Sequence, residues 1–299
     1  MSEAAVLPLR FQLGARTLAA IPRRLVRVAL SLEEVMAHRV PVLPPAGPGT
    51  DGYLLTSLPV DGLPEFRTDG LLVHVRQRYT RHHVDLRLGV DGWEAGLSAN
   101  TRAALKRKAK KLAAASGGTL DIRRYAGAEA VTGFHTHARA VSAKTYQERL
   151  LAAGLPEDPA PLIGLAGMDK VRAWLLFVDE RAVAYLCCTA EGDTLRYDHV
   201  GHDPAMGSLS PGAVLQAAAL RDLLGEGRFR FFDFTEGEGQ HKRTLASGGT
   251  ACVDLLLLRP TVANRVIMAG LSVFDRAVSR AKQAAAHPVL ARLAKRVRR

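Results

Sequence analysis

The stretch TLRYDHVGHDPAMGSLSPGAVLQAAALRDLLGEGRFRFFDFT (194–235) decides the fold. Its opening, TLRYDHVG (194–201), reads as a strand. SPGAVLQAAALRDLLGEG (210–227) starts with Ser210 at the N-cap position and Pro211 at N1 and closes on glycines, so it reads as a helix with both end signals. RFRFFDFT (228–235) is a second strand, rich in aromatic residues, on which Phe229, Phe231 and Asp233 share one face. A strand, a helix and a strand in one sheet imply a right-handed crossover and a parallel pair. Ligands gather at the carboxyl ends of such strands.

On the N-terminal side, VRAWLLFV (171–178) and AVAYLCCTA (182–190) join the first strand through Asp179-Glu180 and Glu191-Gly192-Asp193. Connections this short impose antiparallel pairing. The order is β-β-β-α-β, a mixed α/β sheet with flanking helices. Earlier come strand-like stretches at 70–79 and 82–90, a helix capped by Ser98 or Asn100 that stops at Gly117-Gly118, a short strand at 119–125, and a helix over 128–154 closed by Gly154. The Pro/Gly-rich VPVLPPAGPGTDG (40–52) suits neither helix nor ladder. The expected organisation is a basic arm and linker over 1–52, one principal domain over 53–260, and a basic amphipathic helical tail over 261–299. In that tail Ile267, Leu271, Phe274 and Val278 recur at helical spacing, with Arg265, Arg276, Arg280 and Lys282 largely off the stripe. Two readings stand for it, a helix packed on the domain or an interfacial helix on an anionic membrane.

The 299 residues are 47% hydrophobic and 23% charged, the composition of an ordinary globular protein. The formal charge of +12 favours anionic partners without choosing among them. Cys187, Cys188 and Cys252 offer no C-x-x-C spacing, and neighbours on a strand diverge, so all three read as core residues in a reducing compartment. The N-terminus lacks a signal-like apolar run, and VIMAGLSVF (266–274) is too short to cross a bilayer. A cytoplasmic protein is expected, peripheral on the inner face of the membrane if its tail is interfacial. His82, His83, His135 and His137 do not make a metal site, because His135 and His137 diverge on a helix; no metal is expected.

Three features carry chemistry. GSLSPG (207–212) precedes a helix whose first amides lack partners within the helix, a seat for a pyrophosphate or simply a good helix start. In FDFTEGEGQHKRTLA (232–246), Asp233, Glu236, Glu238, His241 and Lys242 crowd the end of a hydrophobic strand. A buried carboxylate there needs a partner, for which Lys242, His241 and the amides of Gly237 and Gly239 are candidates. The set is either a structural ion pair or an acyl-transfer site, where an amine loses a proton and an oxyanion needs a cation or amides. Third, Arg102, Lys106, Arg107, Lys108, Lys110 and Lys111 face no acid between 98 and 118, which points to anion binding ahead of a merely solvated face. Arg102, Lys106 and Lys110 form a stripe.

Tyr197, Gly201, Asp203-Pro204, Ser210-Pro211-Gly212, Asp233-Phe234, Gly237 and Lys242 resemble the motifs of GNAT-fold acyltransferases of the CelD/BcsL-like branch, related to the Fem peptidyltransferases. SANTRAALKRKAKKLAAASGG (98–118) is similar to that family's opening helix, and the resemblance covers about residues 96–250. It implies a GNAT acyl-CoA N-acyltransferase fold and transfer of an acyl group to an amine of a sugar, polysaccharide or cell-envelope precursor. It implies catalytic Lys242, Asp233 and Glu236, donor binding by Ser210, Pro211, Gly212 and Ala213, and substrate binding by Arg102, Lys106, Tyr197, His199 and Asp203. The implied donor is acyl-CoA, such as acetyl-CoA, or aminoacyl-tRNA as in the Fem relatives. His241 and Leu245 stand where the family has aromatics, and its Q/R-x-x-G-x-G/A loop has no counterpart. The rival readings are a nucleic-acid-binding protein, disfavoured by 6% aromatics and no recognition helix, and a catalytically inactive GNAT scaffold.

Overall fold

In the computed structural model, which describes residues 4–13, 16–145, 148 and 154–286, the strand–helix–strand passage folds as expected. Strand β8 (Thr194–His202) and strand β9 (Phe231–Asp233) pair in parallel, and helix α6 (Pro211–Glu226) connects them. Strand β9 is shorter than the sequence suggests. Phe229 is buried but precedes the strand, so only Phe231 and Asp233 share its face.

The chain forms two compact units, Met1–Arg78 with Ala251–Arg299, and Tyr79–Thr250. These limits differ from the expected boundaries at 52 and 260: the stretch through Arg78 groups with the N-terminal arm and the tail helix. In the Tyr79–Thr250 unit, β5 (Asp121–Tyr125), β6 (Val171–Val178), β7 (Arg181–Glu191) and β8 run antiparallel in order, and β9 adjoins the end of β4 (Leu72–Asp85) antiparallel. Asp179 and Glu180 both have positive φ, as a tight two-residue hairpin requires.

Every residue of β6 is buried, because helices cover both faces of the sheet. On one face Trp174, Leu186, Cys188, Tyr197 and Phe232 pack with α6, α2 (Gly89–Gly96) and α3 (Ala99–Ala114). On the other, Leu175, Phe177, Tyr185 and Cys187 pack with α4 (Ala128–Ser142) and α5 (Ala160–Gly167). The two neighbouring cysteines thus enter opposite cores. Each large apolar side chain buried there contributes about 1.5–3 kcal/mol.

Three elements depart from expectation. The stretches 70–79 and 82–90 are one strand, since no glycine or proline lies between Tyr79 and His82 to turn the chain. The strand instead ends where the Asp85 carboxylate caps the amide of Arg87. Helix α4 ends at Ser142, not at 154. There the Thr145 hydroxyl and amide both close on the Ser142 carbonyl, and the Ser142 hydroxyl accepts from the amide of Leu155. Helix α3 is capped by Ser98, whose side chain accepts from the amide of Thr101.

In the other unit β1 (Ala4–Leu13) pairs antiparallel with β2 (Arg16–Ala29), β2 pairs parallel with β3 (Gly52–Pro59), and β10 (Gly248–Leu258) pairs antiparallel with β3. A short helix, α1 (Leu32–Met36), follows β2. Helix α8 (Val262–Ala286) lays Ile267, Met268 and Leu271 against Leu9, Leu25, Leu256 and Leu258, with Phe274 edge-on to Phe11 at 5.4 Å. Its apolar stripe is therefore used in packing, while Arg265, Arg276 and Arg280 are exposed. The stripe that an interfacial helix would turn to lipid thus faces strands instead, while Val262, Val266 and Val273 are exposed beside the arginines. The second basic segment, 289–299, lies outside the described residues. Among the described residues no helix is long and apolar enough to cross a membrane.

Two tests probe the packing around β8. A Cβ on buried Gly201 would lie 2.5 Å from the Tyr185 ring and 2.8 Å from the Thr145 methyl. Gly201→Ala should cost about 1–3 kcal/mol in thermal or denaturant unfolding. After β8, Asp203 accepts from Lys144 at 3.0 Å, Arg181 at 2.7 Å and the amide of Ala205 at 3.0 Å. Chiefly through Lys144, these donors hold its carboxyl at about 2, against an ordinary 3.8. A lowered carboxylate pKa gives stability that is whole above the ordinary value and lost as pH falls through the folded one. Between pH 4 and 2 the wild type should lose stability more steeply than Asp203→Asn, as read from unfolding midpoints.

Candidate active site

The strand end that bears Asp233 is built around a buried ion pair. Asp233 is fully buried, and its carboxylate accepts from Arg81 Nη2 at 2.6 Å and Arg81 Nε at 3.2 Å. Arg81 is brought there by β4, whose His83 sits opposite Asp233 in the ladder. The remaining lone pairs of Asp233 accept the amide of Thr235 at 2.8 Å, a non-glycine residue held at φ 59°. The carboxylate so shapes the turn Thr235–Gly239. From the other side, Glu238 accepts the amide of Thr80 at 3.0 Å.

Beyond the turn, α7 (Gln240–Leu245) carries Lys242 inward. Its ammonium donates to the carbonyl of Glu236 at 2.6 Å and, more weakly, to that of Thr235 at 3.5 Å. Burial lowers the Lys242 pKa, against the pull of Asp233, Glu236 and Glu238. The sequence pointed to Lys242 as a partner for Asp233. The structure gives Asp233 to Arg81 and ties Lys242 to the loop carbonyls, because two backbone oxygens lie within its reach and the carboxylate is already saturated.

Lys242 lines a cleft of about 540 Å³ with Tyr197, Gly201, His202, Ser210, Gly212, Ala213, Gln216, His241 and Lys108. An adjoining cleft of about 500 Å³ is lined by Asn100, Thr101, Leu105, Gln240 and Thr244, and shares Lys108, Ala213, Gln216 and His241 with the first. Among the described residues lining the two, none is Asp or Glu. Tyr197 Oη accepts from Gln216 Nε2, and burial pushes its phenol up. The His241 ring lies 6.0 Å from that of Tyr197 and 6.4 Å from that of Phe234. The residue is exposed, and partial desolvation of its ring by the cleft walls, then Lys242, lowers the imidazole below the ordinary value.

Of the donor-binding set, Ser210, Gly212 and Ala213 border the cleft and Pro211 is buried at the helix start. Ser210 is not a side-chain N-cap as expected. It adopts a left-handed conformation, φ 55°, and its carbonyl takes the amides of Ala213 and Val214. With proline at N1, Gly212 supplies the amide of the first turn that has no acceptor inside the helix.

The expected substrate set divides. Tyr197 lines the cleft. Arg102 does not: its guanidinium donates to the carbonyls of Glu94 and Leu97 and so closes the end of α2. Lys106 is exposed and outside both clefts. The Asp203 carboxylate is taken by Lys144 and Arg181. A register shift between Cys187 and Cys188 inserts Asp198 into β8, so His199 pairs beside Cys187 and hydrogen-bonds the backbone of Gly154, away from the cleft. Glu236 contributes its carbonyl, while its carboxylate lines neither cleft.

Lys108, one of the six bases of α3 but not of its Arg102–Lys106–Lys110 stripe, is the one that borders both clefts, and the sequence carries its signal. Leu105, Lys108 and Leu112 are spaced by three and four, and both leucines are buried. Arg102, Lys106 and Lys110 form the stripe on the solvent side. For Arg81 the signal was a charged residue inside an unbroken strand pattern. Among the described residues, no group of His, Cys, Asp and Glu could hold a metal ion.

Residues 99–243 match the model of the acetyltransferase (GNAT) domain family. No protein of curated function matches the chain. Solved structures match, two of them as follows. The C-terminal domain of a putative lysylphosphatidylglycerol synthetase from Agrobacterium fabrum aligns with a TM-score of 0.51 and 12% identity, over 74% of this chain and 71% of that one. FemX aligns with a TM-score of 0.50 and 8% identity, over 89% and 91%. At these identities the likeness is one of architecture, and it agrees with the mixed sheet, the crossover helix and the cleft at the ends of β8 and β9. The fold is the GNAT fold, residues 99–243 match its acetyltransferase domain, and the chain is an acyltransferase.

Proposed function

We propose that this acyltransferase moves an acyl group from acyl-CoA to the amine of an anionic sugar, polysaccharide or cell-envelope precursor, in the manner of the CelD/BcsL-like branch. One observation carries the reading: the cleft at the carboxyl ends of β8 and β9 combines Lys108, His202, His241 and Lys242 with no carboxylate. A polycationic acceptor would need acids there, whereas phosphate or carboxylate groups on either substrate meet lysines instead.

Lys242 stabilises the oxyanion that develops on the acyl carbonyl, because a partly desolvated ammonium near the reacting carbon is worth more than one in water. The carbonyl of Glu236 aims that ammonium, and Asp233, through Thr235, holds the turn that presents it. The start of α6, with the Gly212 amide, receives the donor's pyrophosphate. Tyr197, anchored by Gln216, forms the wall against which the acyl group is held. Arg265, Arg276 and Arg280, exposed on α8, provide an electrostatic attraction to an anionic membrane surface, each adding about 1 kcal/mol when close to it. The protein then works at the cytoplasmic face, near lipid-borne precursors.

Two measurements test this. A Cβ on Gly212 would meet only His202 Nδ1, at an ordinary 3.6 Å. Gly212→Val should therefore keep the native unfolding midpoint and weaken CoA binding in calorimetry by about tenfold or more. Wild type that ignores CoA yet transfers from aminoacyl-tRNA would assign the donor to the aminoacyl class. Lys242→Ala should lower kcat by about 10²–10³-fold. A folded Lys242→Ala protein with the wild-type kcat would remove the lysine from the mechanism.

A further inference from the structure

The two clefts meet at His241, and the groups around that junction leave the transfer with few acceptors for a proton. An attacking amine must lose one as the new bond forms. Asp233 is buried and saturated by Arg81 and Thr235. Tyr197 has its phenol pushed up by burial, which makes it a poor base near neutrality. His202 borders only the larger cleft, whereas His241 borders both.

We propose that His241 is the general base of the transfer, taking the amine's proton where the two clefts join. The inference rests on the acyl-transfer reading above. The neutral amine attacks the acyl carbon, the nitrogen–carbon bond forms, and the bond from that carbon to the donor's sulfur or oxygen breaks. The proton lost by nitrogen passes to the imidazole and on to the departing thiolate or alkoxide.

The surroundings suit this role. From its own helix His241 meets Lys242, from α3 Lys108 shares both clefts with it, and from β8 the Tyr197 ring flanks it. The neighbours from the end of β9 and from α6, Phe234 and Gln216, are uncharged. His241 is exposed at the junction and so open to an incoming amine, and partial desolvation with the adjacent Lys242 lowers its pKa, which favours the neutral ring that accepts a proton.

The test is a pH profile of kcat/KM with acetyl-CoA, or aminoacyl-tRNA where that is the donor, and with glucosamine 6-phosphate and phosphoethanolamine as probe amines. Wild type should rise through an acid limb centred below 6.5 and then level. His241→Gln should lose that limb and about 10²-fold in rate. His241→Ala should regain rate when imidazole is added, which a merely structural role would not allow. His202→Gln should keep the limb. An active wild type whose limb survives in His241→Gln, or vanishes in His202→Gln instead, overturns the inference and leaves the functional reading intact. A wild type that transfers from neither donor overturns the functional reading and this inference with it.

Discussion

The Arg81–Asp233 ion pair is the constraint on which the active region depends. Its groups are 3% and 0% exposed, so neither charge is compensated by water. Two buried charges are tolerated only when their hydrogen-bonding capacity is met, and removing one partner from such a pair commonly costs about 3–5 kcal/mol. Here Arg81 forks onto both oxygens and the Thr235 amide completes the shell. Satisfying the carboxylate bends the chain at Thr235, and that bend points two carbonyls at Lys242.

The consequence is a lysine whose position is set by backbone atoms. A lysine paired directly to Asp233 would have its charge spent on a carboxylate. Here the ammonium is held by neutral carbonyls, and Asp233, Glu236 and Glu238 act on it only through space. After partial desolvation, its charge is the second cause that lowers the neighbouring imidazole of His241. Among the described residues that line the two clefts none is Asp or Glu, so the acids that act on Lys242 do so from outside the lining. The sheet supports this arrangement: Tyr197 from β8, Phe232 from β9 and Phe234 just beyond it pack edge to face behind Lys242 and His241.

The basic surface divides along similar lines. On α3 the solvent-facing stripe of Arg102, Lys106 and Lys110 is separate from Lys108, which turns into the clefts. Arg102 is a structural residue, fastening α2 by its last carbonyls. On α8 Ile267, Met268 and Leu271 are covered by strands of its own unit, while Arg265, Arg276 and Arg280 are exposed together with Val262, Val266 and Val273.

The local sequence determined the sheet meander, the crossover helix with its proline start, and the opposite destinations of Cys187 and Cys188. These follow from periodicity, turn residues and chain connectivity, which act over a few residues. That Lys242, Tyr197, Ser210 and Gly212 line one cleft follows from the same connectivity, since they lie near the ends of β8 and β9. What the tertiary structure decided was pairing. Arg81 and Asp233 are 152 residues apart, and no local pattern says which cation a buried carboxylate will meet. The bulge at Asp198 turned His199 away, Lys144 and Arg181 closed on Asp203, and the buried face of α3 chose Lys108 over Lys106. Each outcome depends on which long-range partners reach a polar group first and shield it from water, and that is a property of the folded chain.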